Sequence, residues 1–107
     1  MFWVVHCTDR PDASEQRRVA LAEQMLHVAS APVRVLSGGP LMADAVEPRS
    51  GSVLLVEASC RDNVEHFVNT APFAVHGVWS AVQINEFKPL LGGLDSLVSA
   101  DTSGGRG

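Results

Sequence analysis

The stretch SVLLVEAS, residues 52–59, carries Val53, Leu54, Leu55 and Val56 in unbroken succession. Neighbouring residues of a strand point to opposite faces, so an apolar run without polar alternation reads as a strand covered on both sides. One cover comes from helices packed on the sheet, and the other has to be supplied separately. Upstream, VRVLSGGPL (residues 33–41) reads as a second strand ending in a glycine-rich tight turn, and ADAVEPRSG (43–51) as the loop between the two. Downstream, Ser59 followed by Asp62 marks the start of a helix with a core stripe of Val64, Phe67, Val68 and Ala71, closed by Pro72.

The ends of the chain extend this pattern. FWVVHCT, residues 2–8, is rich in β-branched and aromatic residues and runs into the turn chemistry of DRPD, which predicts a strand. Asp12 and Glu15 have the spacing of a capping box. Leu21, Met25 and Val28 then recur at i, i+4 and i+7, predicting an amphipathic helix over 13–30 that ends before Pro32. VWSAVQINEF, residues 78–87, alternates Val78, Ser80, Val82 and Ile84 with Trp79, Ala81, Gln83, Asn85 and Phe87, as a strand with one buried face does. The order β-α-β-β-α-β predicts an α+β, ferredoxin-like fold, with two helices on one face of a four-stranded antiparallel sheet. Leaving the second apolar face in water would expose more surface than a monomer usually tolerates, so a homodimer is expected. Residues 1–90 form the expected domain, and the Gly/Ser-rich 91–107 a flexible tail.

Composition narrows the function. A net charge of −4 with a single lysine, Lys88, leaves no basic stripe for a phosphate backbone, which argues against nucleic-acid binding. No apolar run approaches the length needed to span a bilayer, and the opening MFWVVHC lacks a charged signal region, so no membrane partner and a cytoplasmic location are expected. Cys7 and Cys60 form no CxxC pair and read as reduced thiols. His66, Glu65 and the scattered acids do not cluster at metal-ligand spacing, so no metal site is expected.

FWVVHCTDRPDASEQRR, VASAPVRVLSGGPL, GSVLLVEA and APFAVHGVWSAVQINEF occur in this order over residues 1–89. Together they resemble the YciI-like (YCII) family of small proteins. The resemblance implies subunits that pair sheet to sheet as a dimeric α/β barrel, with a small-molecule cavity in each and no metal or organic cofactor. Members with an assigned activity act on small ring compounds, including dehydrochlorination of a chlorinated hydroxyquinol. The family's proposed catalytic pair is a histidine on the first helix and an aspartate in a D-P-F or D-P-Y turn. Matching AEQMLHVASAP and TAPF without gaps sets Gln24 and Ala71 at those two positions, so neither a titrating imidazole nor its carboxylate is present there.

Candidate residues follow from spacing and chemistry. Arg17, Gln24 and His27 share one helical face, where they either line a pocket or form a solvated surface. An arginine is common near the start of this helix in the family, and its planar, always-charged fork suits an anionic or phenolic oxygen. His27, one turn beyond Gln24, is the best substitute base, with His6 and His76 as further imidazoles. Each of the three also has a plain reading, His27 as part of a solvated helix face, His6 as a hydrogen-bonded core histidine and His76 as an exposed one. Ser37 and Ser80 are expected as lining donors, with Ala71 at the site by its place in the turn. SGGP lacks the lysine and following helix of a phosphate loop. Two functions remain open. One is a cofactor-free lyase or isomerase acting on a small cyclic oxygenated metabolite, with His27 or His6 as base and Arg17 stabilising negative charge. The other is a non-catalytic ligand-binding or pathway-accessory protein.

Overall fold

The computed structural model describes residues 1–30, 33–42 and 50–92. In chain order the elements are β1 (Phe2–Asp9), α1 (Ser14–Ser30), β2 (Arg34–Leu41), β3 (Gly51–Glu57), α2 (Arg61–Asn69), α3 (Pro72–Val75) and β4 (Trp79–Phe87). The strands form one antiparallel sheet in the order β2-β3-β1-β4. This is the α+β, ferredoxin-like arrangement expected from the sequence. β3 pairs with β1 on one side and β2 on the other, and the register sets Leu54 opposite Val5 and Val56 opposite Trp3. Those residues, with Cys7, Val64, Phe67, Val68, Phe73 and Val78, form the buried core under the helices. On the other sheet face Val4, Val53 and Leu55 are half-buried, while His6, Thr8, Gln83 and Asn85 are exposed.

Several local expectations change. SGGP is not a turn: Ser37 to Pro40 lie within β2 and pair with Leu55 to Ser52, after a register shift between Val35 and Ser37. An edge strand tolerates a proline, which removes no bond an inner strand needs. Gly38 also lets β2 close on the sheet, since a Cβ there would stand 2.4 Å from Leu54 Cδ2. The capping box does not form, because the Ala13 carbonyl accepts the Arg17 N–H and the Glu15 carboxylate pairs with Arg18 on the surface. Ser59 does not cap α2 either. Cys60 holds that position without a side-chain bond, and Ser59 Oγ accepts from Asn63 Nδ2. Pro72 opens a further short helix rather than merely closing one, since its missing N–H costs nothing at the first helical position. Most of the expected 43–51 loop and of the 91–107 tail lies outside the described residues.

The largest change is the rotation of α1. Its buried row is Ala13, Arg17, Ala20 and Gln24, whereas Leu21 and Met25 are exposed and Val28 is half-buried. Two polar anchors on the helix set this rotation. Both cysteines are free, with Cys7 buried and Cys60 exposed. Burial, with the Asp9 charge adding to it and Arg17 opposing, pushes the Cys7 thiol up to about 12.

β1 and β3 approach closely at their far end, where a Cβ on Gly51 would meet the Cys7 carbonyl oxygen at 2.0 Å, whereas one on Gly39 would meet nothing within 4 Å. Gly51→Ala should therefore lower the urea midpoint, by an amount corresponding to at least the roughly 1–3 kcal/mol of unfolding free energy typical of overpacking. Gly39→Ala should leave it nearly unchanged, and similar midpoints for the two variants would contradict this packing.

Candidate functional site

Asp9 ends β1 at the irregularity that shifts its pairing with β4, and its carboxylate turns toward α1. There it takes both arms of one guanidinium: Arg17 Nε donates to Oδ2 and Nη2 to Oδ1, each at 2.9 Å. Nη2 also donates to Ser52 Oγ at 2.8 Å and to the Gly51 carbonyl at 3.3 Å, tying the helix to the start of β3. Phe73 lies under the guanidinium, 4.7 Å from Cζ to ring centroid, and Trp79 meets Phe73 edge-on at 5.8 Å. The side chains of Arg17 and Asp9 are only 8% and 7% exposed, so the pair is desolvated and its geometry is held from several sides. Of the five guanidinium donors, the two on Nη1 have no partner among the described residues.

Two turns further along α1, Gln24 is anchored in the same way. Its Oε1 accepts the Phe73 N–H at 3.0 Å, capping α3 from another element. Ala71, the residue at the cap of α3, has no side chain able to do so. A backbone N–H can only donate, which fixes the orientation of the carboxamide and leaves its NH₂ group free.

Between these anchors and β2 lies a cavity of about 180 Å³, with Leu21, Met25 and Val28 on the helix side and Val35, Gly38 and Pro40 on the strand side. Arg17, Gln24, Ser52, Leu54, Phe73 and Trp79 complete its walls. Arg17 is the only one of these side chains that carries a charge. Trp79 adds a buried indole N–H with no hydrogen-bond partner.

Of the residues singled out from sequence, Arg17 and Gln24 line the cavity and are buried, which removes the solvated-face reading for both. Ala71 lies behind the wall, buried at the start of α3. The others are elsewhere. His27 is half-buried and stacks on Phe67 at 4.8 Å between ring centroids, with its Nε2 2.9 Å from the Phe67 carbonyl, so it belongs neither to a solvated face nor to the lining of the cavity. His6 is exposed on the sheet face away from the helices, opposite Val53 and Gln83. His76 is exposed and does have a carboxylate neighbour, Glu23, at 3.1 Å. Ser80 Oγ donates to the Thr8 carbonyl, and Ser37 is exposed on the edge strand; neither lines the cavity.

Asp9, Ser52, Phe73 and Trp79 are the residues the sequence did not disclose. For Ser52 a signal existed: a hydroxyl at the head of a strand with both faces covered needs a partner. Among the described residues no group of three or more His, Cys, Asp or Glu side chains is arranged to hold a metal, and no helix is long and apolar enough to cross a membrane.

Removing Asp9 would strand a buried guanidinium charge. Asp9→Ala is expected to lower unfolding free energy by about 3–5 kcal/mol, measured by denaturant titration. A loss within about 1 kcal/mol, the range of exposed pairs, would mean the pair is far more hydrated than its burial indicates.

The fold is shared with solved proteins. A 5-chloro-2-hydroxyhydroquinone dehydrochlorinase from Burkholderia phenoliruptrix, in complex with 2,5-dihydroxybenzoquinone, superposes with a TM-score of 0.73 at 24% identity, covering 82% of this chain and 94% of that one. A transcriptional regulator from Neisseria meningitidis in complex with L-Met gives a TM-score of 0.55 at 18% identity, over 90% of this chain and 58% of that one. An antibiotic biosynthesis monooxygenase gives 0.53 at 14% identity, over 85% of this chain and all of that one. Among curated proteins no match is found. The model of the YCII-related domain matches residues 1–88, everything from β1 through β4, and the chain therefore belongs to the YCII family.

Proposed function

We propose that the cavity between α1 and β2 binds a small cyclic oxygenated compound, and that this binding is the basis of the protein's function. The observation that carries the reading is a buried arginine, oriented by Asp9, that lines an otherwise largely apolar cavity and has Nη1 unbonded among the described residues. A volume of about 180 Å³ is below the roughly 300–1,000 Å³ of pockets for drug-sized ligands, and a cavity of about 150 Å³ already admits benzene. One substituted six-membered ring is the matching size. The 2,5-dihydroxybenzoquinone held by the similar dehydrochlorinase supports that class of ligand.

A second reading, a cofactor-free lyase or isomerase, is favoured by the same likeness and by Arg17 itself. In an elimination or enolisation the ring oxygen gathers negative charge, and a pre-oriented guanidinium stabilises it without reorganisation. Gln24 and Ala71 occupy the expected positions of the family's pair, and the bond from Phe73 to Gln24, next to Ala71, supports that placement. No imidazole or carboxylate stands among the described lining residues, so a proton leaving the ring goes to water on the open side rather than to His27 or His6.

Titration with 2,5-dihydroxybenzoquinone, followed by tryptophan fluorescence in a Trp3→Phe background so that Trp79 alone reports, tests the binding. Saturable quenching is expected. Arg17→Met combined with Asp9→Leu, which removes both charges together, should weaken it about 10- to 100-fold, the worth of one charge-assisted hydrogen bond. Absence of saturation would remove the cavity as a ligand site. Chloride release from a chlorinated hydroxyquinol separates the two readings: release supports the lyase, and binding without release supports the passive protein.

We further propose a homodimer formed through the sheet face that carries Val4, Val53 and Leu55. Static light scattering of dilute protein should give twice the 11.4 kDa chain mass. A monomer would mean that this face is stable in water.

A further inference from the structure

The uncommitted side-chain groups around the cavity are all of one kind. Arg17 is 7% exposed and Gln24 5%, and each keeps an NH₂ group without a partner among the described residues. Ser52 Oγ already accepts from Arg17 and has its proton to give. Trp79 is 8% exposed, and its indole N–H is sealed from solvent without any acceptor. The side-chain oxygens are partly engaged already, Asp9 by both arms of Arg17, Gln24 Oε1 by the Phe73 N–H and Ser52 Oγ by Arg17 Nη2. Moreover, Asp9 offsets the charge of Arg17 at hydrogen-bond distance, so the cavity does not present a net positive charge. Three of these donors, on Arg17, Gln24 and Ser52, belong to side chains that line one small, largely apolar cavity, where an entering acceptor can pair with them, whereas the Trp79 N–H is sealed from the cavity's solvent as well.

We infer that the cavity selects ring compounds whose oxygens accept hydrogen bonds without donating them, namely the carbonyl oxygens of a cyclic diketone or quinone, over the corresponding hydroxyl compounds. The inference rests on the cavity being a ligand site, as proposed above, and adds the chemical form of the ligand. A diketone oxygen meets the Arg17 and Gln24 NH₂ groups with its lone pairs. A hydroxyl in the same place must also dispose of its own proton, and among the described lining side chains only Gln24 Oε1 and Ser52 Oγ, each already accepting one hydrogen bond, have a lone pair left for it. Selection therefore acts on the oxidation level of the ring rather than on its net charge, which fits a protein handling the oxidised member of a quinol/quinone or alcohol/ketone couple.

Two neutral ring probes of similar size, 1,4-cyclohexanedione and trans-1,4-cyclohexanediol, isolate this property. With isotope-labelled full-length protein, the methyl resonances of Leu21, Met25 and Val28 report occupancy of the cavity, and the Gln24 carboxamide and Trp79 indole N–H resonances report donation. The dione should bind about fivefold or more tightly than the diol and should shift the Gln24 NH₂ resonances. Gln24→Glu keeps an oxygen for the Phe73 N–H but replaces the donor with an acceptor, and should abolish or reverse the preference. Equal affinities accompanied by shifts of the methyl resonances would overturn the donor argument and leave the ligand site standing. No methyl shift with either probe would overturn the site itself. If Gln24→Glu does not fold, the ratio of the two affinities on the native chain still decides the question.

Discussion

The Asp9–Arg17 pair is the constraint from which the rest of the site follows. A guanidinium cannot be carried into a protein interior alone, since its desolvation costs several kcal/mol, and the penalty is offset only when geometry supplies a carboxylate and further acceptors at once. Here β1 supplies Asp9, and β3 supplies Ser52 and the Gly51 carbonyl. The same group thus joins the first strand, the first helix and the third strand, and it fixes the rotation of α1 about its axis. With Arg17 turned inward, small residues must follow on that row, which is where Ala13 and Ala20 fall. The larger Leu21, Met25 and Val28 are displaced sideways, and they enclose the cavity against β2 instead of filling the core.

This displacement explains what could and could not be read from the sequence. Element order and the antiparallel ferredoxin-like arrangement were legible because they rest on period and punctuation: the unbroken run of β3, the alternation of β4, and Pro32 and Pro72 as boundaries. The burial of α1 was not legible. Leu21, Met25 and Val28 have the correct spacing for a core stripe, and local hydrophobicity favours them over a row containing Arg17 and Gln24. Only partners outside the helix, Asp9 at the end of the preceding strand for one and the Phe73 amide far along the chain for the other, make the polar row the interior one. For the same reason SGGP looked like a turn. Its glycines serve the approach of an edge strand to Leu54, a tertiary demand that a four-residue window does not contain.

Candidate residues divide along the same line. Arg17 and Gln24 were visible because their type and spacing are unusual on an amphipathic helix. The histidines attracted attention by their chemistry alone, and the fold distributes them: His27 against Phe67, His6 on the opposite sheet face, His76 beside Glu23 on the surface. Trp79 and Phe73 read as ordinary apolar residues, and only their arrangement around the guanidinium gives them a place at the cavity.

The cap that Gln24 provides to α3 constrains the order in which this sequence can change. A helix of four residues has almost no stability of its own, and its first free N–H, that of Phe73, is satisfied from α1 because Ala71 cannot satisfy it. Replacing Gln24 first leaves that donor buried and unpaired. Placing an aspartate at position 71 first supplies a local cap, after which position 24 is released from its duty to the turn. The two sites are therefore epistatic, with one mutational path passing through a less stable intermediate and the other avoiding it. A chain descending from an ancestor with a carboxylate at 71 would have had to acquire a side chain at 24 that reaches Phe73 before that carboxylate could be lost without harm.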